Sequence, residues 1–184
     1  MKKNFYIVTL IIFIFFFSIC HARSESIWKV VCDSELPKNV FVKTHFCWTI
    51  DEHYELQSTD SFIEIKFFLK DKGKDTFTLK ITDRASTFRI SVTGLDFPLL
   101  TPPDYNDGEF ANVKMNIFVN EKLTIFNSAI WWNQDDINYY DIGKFLVPGE
   151  NIILINLNPR SKVRYDIKEI ELLKNIKEFP EYTF

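Results

Sequence analysis

The chain has 184 residues, with 25 acidic against 22 basic side chains, a formal net charge of -3 and 46% hydrophobic residues. A weakly acidic chain lacks the basic footprint that a nucleic-acid partner requires, so that class of function is excluded. The length suits one domain with a real core and is short for two.

Residues 1–22 read as an export signal. Lys2 and Lys3 form the charged start, Phe5 to Phe17 is a nearly unbroken apolar run, and Ala22 offers a small residue for cleavage. A retained anchor is the weaker reading, because the run is short for a bilayer span. Lipidation at Cys20 is disfavoured, since Ile19 stands where lipoprotein signals carry a small residue. The mature protein is therefore expected in the periplasm, at the cell surface or outside the cell. Its domain is expected over residues 23–174, followed by a tail over 175–184 that Pro180 interrupts.

Two cysteines survive cleavage, Cys32 and Cys47. In an oxidising compartment they read most simply as a disulfide, closing a loop of about 15 residues and worth roughly 3 kcal/mol. Trp28 and Trp48 flank the pair and are expected to pack on the bridge. Two free thiols are the alternative. A thiol-based metal site would have only His45 and His53 as partners, without zinc spacing.

Apolar residues then recur with period two, the signature of strands with one buried face. Ile63, Ile65, Phe67 and Leu69 alternate with Glu64 and Lys66. The turn Asp71-Lys72-Gly73-Lys74-Asp75 follows, and Phe77, Leu79 and Ile81 alternate next, which predicts a hairpin with a longer loop. Further strands are predicted around Phe88–Val92, Val113–Val119, Leu123–Ile125 and Ile152–Leu157. In a last strand beyond these, Val163, Tyr165 and Ile167 share a face but the next apolar residues are Ile170 and Leu172. That three-residue step predicts a bulge near Lys168 and Glu169. One short helical turn is expected over Asp141 to Leu146, with Asp141 capping it. Short strands separated by turns argue for an all-β antiparallel sandwich.

The densest local pattern is Tyr140-Asp141-Ile142-Gly143-Lys144-Phe145-Leu146-Val147-Pro148-Gly149-Glu150-Asn151, ahead of the apolar Ile152-Ile153-Leu154-Ile155. With Asn120 closing an upstream strand, it resembles the second half of a galactose-binding-like jelly roll, as in the sugar-binding domain of glycoside hydrolase family 2 and related carbohydrate-binding modules. Asn120, Asp141, Ile142, Leu146, Gly149 and Asn151 fill the family's positions. Glu121 replaces the usual turn Gly, and Gly143 sits where Ser or Thr is common. The matching residues shape backbone: Pro148 and Gly149 suit a type II turn, and Asn151 can hold neighbouring peptide groups. They specify a fold and leave the ligand open.

What the resemblance implies is a non-catalytic, carbohydrate-binding module. Asn127 to Asp136 is the best contact candidate, because sugars stack on aromatic faces while amides and carboxylates meet their hydroxyls. Trp131, Trp132, Asn133 and Asp135, with Tyr105, form the expected contact set. Successive side chains in an extended segment point to opposite faces, so one Trp at most serves as a platform. In the competing reading, one Trp plugs the core and the other covers the sandwich edge. Asp104, Asn106, Asp107 and Glu109 form an oxygen-rich turn in the irregular stretch from Leu95 to Phe110. It reads as solvated, with a structural calcium as the alternative; related jelly rolls often hold one. Two other classes stay open: a structural subunit with a protein partner, and a small secreted hydrolase. The hydrolase would need two carboxyls facing each other about 5 to 9.5 Å apart.

Overall fold

The computed structural model describes residues 24–58, 60–73, 75–86, 89–92, 95–98, 110–131, 134–157 and 164–175. The expected export signal, most of the expected tail and the expected calcium turn lie outside them. The elements in chain order are β1 (Ser24–Val31), β2 (Val40–His45), β3 (Cys47–Ile50), β4 (His53–Leu56), β5 (Phe62–Leu69), β6 (Thr76–Ser86), β7 (Arg89–Val92), β8 (Leu95–Pro98), β9 (Phe110–Val119), β10 (Lys122–Trp131), β11 (Asp136–Asp141), β12 (Gly149–Leu157) and β13 (Arg164–Asn175). A 3-10 turn over Gly143–Phe145 separates β11 from β12.

Two antiparallel sheets face each other. The first runs β11-β6-β13-β4-β3, and β1 pairs with β13 beside β4. The second runs β10-β9-β12-β5-β2, and β7 and β8 form a separate small hairpin. Period-two patterning drives this layering. Phe77, Leu79, Ile81, Ile170 and Leu172 point inward from the first sheet. Ile63, Ile65, Phe67, Ile117, Val119, Ile153 and Ile155 meet them from the second. Each such side chain contributes roughly 1.5–3 kcal/mol on leaving water.

The expected hairpin between Ile63–Leu69 and Phe77–Ile81 does not form. β5 pairs with β2 and β12, while β6 pairs with β11 and β13. The turn with Gly73 at φ 54 therefore arches from one sheet to the other. Both strands still turn their apolar faces to one core, which is all their alternation dictates. The bulge is present, as a register shift between Ile167 and Glu169.

The expected disulfide is absent too, and Cys32 and Cys47 are free thiols. Cys47 on β3 stands opposite Leu56, and the Cys32 side chain hydrogen-bonds with Thr49, two residues further along β3. Burial, followed by the charges of Cys32, Glu55 and Asp166, pushes the Cys47 thiol up to about 12. Trp28 is buried against Phe67, with ring centroids 5.1 Å apart, but Trp48 is 59% exposed and packs on no bridge.

The jelly-roll motif folds as its residues dictate. Asn120 (φ 49) and Glu121 (φ 65) make the tight β9–β10 turn in left-handed backbone, and Gly149 takes φ 103. The Asn151 side chain closes the β11–β12 connection through Val147 and Gly149. Asp141 Oδ1 accepts the Gly143 amide at 3.0 Å, holding the start of the 3-10 turn.

Candidate functional site

The outer face of the first sheet carries a charged network. Arg84, Asp166 and Glu55 lie directly opposite one another on β6, β13 and β4, and Trp48 follows on β3. Arg164 Nε donates to Asp166 Oδ1 at 2.8 Å, and its Nη2 lies 3.2 Å from Glu55 Oε1. Arg84 and Ser86 donate to Asp166 Oδ2, and Gln57 donates to Glu55 Oε2. Burial, then the charge of Asp166, raises the Glu55 carboxyl against the opposing pull of Arg164 and Gln57. Both carboxyls are buried and taken up by donors of the protein itself.

Asp135 belongs to this network. Its Oδ1 lies 2.8 Å from His53 Nε2, and Lys168 Nζ lies 3.4 Å from Oδ2. His53 sits on β4, three strands across from β11 and so roughly 14 Å away at about 4.8 Å per strand. The chain just ahead of β11 therefore turns inward over the sheet, with Asp135 as its tether. Burial opposes ionisation of Asp135, but the hydrogen bond and charge of His53, with Arg84 and Lys168, outweigh it and lower its pKa. Asp135, an expected contact residue, thus anchors the chain ahead of β11 while its side chain stays 30% exposed.

The opposite outer face, on the second sheet, presents a groove. Phe41 on β2 stands opposite Lys66 on β5, and Phe68 stands opposite Glu150 on β12. Asn39, Phe41, Lys66, Phe67, Phe68 and Glu150 line a hollow of about 370 Å³. Phe41 is 70% exposed and Phe68 65%. Phe41 and Phe68 are diagonal neighbours, a relation that sets side-chain origins roughly 7–8 Å apart. Two apolar ring faces thus border a slot with an ammonium, a carboxylate and an amide beside it. That combination suits a ligand with apolar faces and hydroxyl edges.

Of the expected contact set, Trp131 and Asp135 are among the described residues. Trp131 closes β10 opposite Phe110. Trp132, Asn133 and Tyr105 lie outside the described residues, as do Asp104, Asn106, Asp107 and Glu109. Among the described residues, no group of three or more His, Cys, Asp or Glu side chains is placed to hold a metal. The groove residues carried one signal in the sequence: Phe41 and Phe68 occupy solvent-phase positions in strands whose other phase is apolar.

With this geometry in place, solved structures supply the comparison. A CBM36 carbohydrate-binding module in complex with calcium and xylotriose matches with a TM-score of 0.50 at 9% identity, over 79% of this chain and 99% of that one. The CBM36-1 domain of a multidomain xylanase from the hindgut metagenome of Trinervitermes trinervoides matches with a TM-score of 0.51 at 6% identity, over 82% and 96%. The fold is an antiparallel β-sandwich jelly roll, the architecture of these modules. No protein-family model and no curated protein sequence matches the chain. At such identity the likeness fixes architecture and nothing finer. No helix among the described residues is long and apolar enough to cross a membrane.

Proposed function

We propose that the mature chain is an exported, non-catalytic carbohydrate-binding module. The observation that carries the proposal is the groove of about 370 Å³ between Phe41 and Phe68, with Lys66, Glu150 and Asn39 at its edges. Open hollows of this size, mainly apolar with a few convergent polar groups, are the usual form of small-ligand sites. The fold supports the reading, since a module of this architecture is described with xylotriose. Trp131, Trp132 and Asn133, with Tyr105 and Asp135, carry a second contact surface in the same proposal.

A glycan-array screen on the mature protein, with xylo-oligosaccharides among the probes, tests it. Binding that falls at least tenfold in Phe41→Ala and Phe68→Ala is the expected result. Loss confined to Trp131→Ala and Trp132→Ala would move the site to the second surface, and silence on every glycan would remove the proposal. No cofactor enters this reading, so binding is expected to survive EDTA. Loss on chelation would bring in a structural calcium, with Asp104, Asn106, Asp107 and Glu109 as the ligands to mutate.

A second reading, a structural subunit with a protein partner, draws on the same sheet. Leu123 is exposed beside half-buried Phe118, and Leu154 and Ile152 extend that apolar stretch toward the groove. A secreted hydrolase has less ground: the adjacent carboxyls of Glu55 and Asp166 are buried and bonded to Arg164, Gln57, Ser86 and Arg84.

A further inference from the structure

The groove is one end of a longer pattern. On the outer face of the second sheet, Phe41, Lys43 and His45 of β2 stand opposite Lys66, Glu64 and Phe62 of β5. Aromatic side chains thus mark both ends of this two-strand ribbon, and charged ones fill its middle. His45 stacks on Phe62 with ring centroids 5.2 Å apart and planes at 27°, and Phe46 packs on His45 at 4.2 Å. Lys43 Nζ lies 5.8 Å from the Phe62 ring centre. Phe62 and Phe68 are six residues apart on one strand, a span of roughly 20 Å at about 3.3 Å per residue.

Phe46 adds an independent observation. It alone links β2 to β3, carrying the chain from the edge of one sheet to the edge of the other. It does so at φ 44, a conformation that a bulky side chain rarely adopts. Its ring is nonetheless 62% exposed. Glycine would fill this backbone position without strain, and strained backbone concentrates at binding sites. An exposed aromatic ring kept where the backbone resists it marks a working surface.

Charge identifies what the ribbon takes. Lys43 and Lys66 are matched by Glu64 and Glu150, and Lys66 Nζ lies 3.5 Å from Glu64 Oε1. A face with balanced charges gives an anionic polymer no net attraction, while its ammonium and carboxylate groups can still donate to and accept from hydroxyls. Rings at each end offer apolar platforms separated by several sugar lengths.

We infer that this face binds a neutral polysaccharide chain lying along β5, gripped by Phe41 and Phe68 at one end and by His45, Phe46 and Phe62 at the other. The inference rests on the carbohydrate reading and deepens it, from a single groove to a track that measures chain length.

Calorimetry with neutral β-linked oligomers of xylose, glucose and mannose, from one unit to six, tests it. Affinity is expected to rise at least tenfold from the shortest oligomer that binds to the hexamer. Phe46→Ala, with Phe62→Ala as a second variant, is expected to erase that gain and leave the affinity for short oligomers intact. Phe68→Ala should weaken every length. A uronic-acid polymer should bind no more tightly than a neutral one. Affinity that is flat with length, or a hexamer indifferent to Phe46→Ala and Phe62→Ala, would overturn the track and leave the groove standing. Absence of binding at every length would overturn the carbohydrate reading itself, and the track with it.

Discussion

Asn151 is fully buried, and all four hydrogen-bonding positions of its amide are used. Oδ1 accepts from Asn120 Nδ2 and from the Val147 amide, each at 2.9 Å; Nδ2 donates to the carbonyls of Val147 and Gly149. One side chain thereby ties the β9–β10 turn to the β11–β12 connection. Asn151→Ala removes these bonds and strands buried peptide groups, so a loss of about 3 kcal/mol is expected in urea unfolding. Asp83 is a second buried polar residue, facing the core with Asn138 and Tyr165 donating to its two oxygens. Burial pushes its carboxyl from an ordinary 3.8 up to about 7, against the effect of those two hydrogen bonds. The folded state therefore holds this proton more tightly than the unfolded chain does. Its contribution is full below the unfolded value and declines as pH rises toward 7, with a slope approaching about 1.4 kcal/mol per pH unit. Urea unfolding at pH 5 and at pH 7.5 checks this: the drop in stability should be smaller in Asp83→Asn, and equal drops would contradict it.

At the scale of elements, the 3-10 turn shows why Gly143 departs from the family pattern. A Cβ built there would lie 3.1 Å from the Phe77 backbone nitrogen, inside a buried strand that cannot easily yield. Gly143→Ala should cost about 1 kcal/mol, read as a lower melting temperature. On the first sheet, Arg164 joins β4 to β13 through Glu55 and Asp166. Arg164→Met would leave two buried carboxyls short of a countercharge, and a loss of about 3–5 kcal/mol is expected on denaturation. β5, β6, β12 and β13 were legible from their apolar patterns because a period of two reports which side faces the core. It says nothing about which strand lies alongside. β5 and β6 therefore read as a hairpin when they lie in different sheets, since five turn residues serve a hairpin or an arch equally well. Cysteine spacing carries no such information either: whether Cys32 and Cys47 meet is set by long-range pairing, and the structure leaves them unbridged.

Across the whole molecule, the two-layer architecture was legible from Ile63 onward, whereas β1 to β4 were not delimited in the sequence. The Gly149 and Asn151 positions carried it because their turn chemistry is local, whereas the Asn120 side chain bonds to Phe145, Asn151 and Ile152 across two connections. The candidate site was legible only in part. Phe41 and Phe68 come together across β2 and β5, which are separated by two strands in sequence, and no spacing in the chain announces that register. Asp135 was selected for its chemistry, and no spacing announced its ion pairs with His53 and Lys168. The face bearing Phe41, Lys66, Phe68 and Glu150 is thus the surface on which a carbohydrate function stands or falls. Amide chemical-shift mapping of the isotope-labelled mature protein, titrated with xylohexaose, addresses it most directly. The expected result is a set of shifts along β2 and β5, strongest at Phe41, Lys66 and Phe68 and reaching Phe62. Shifts confined to the outer face of the first sheet around Trp48 and Arg164, or none at saturating sugar, would contradict it.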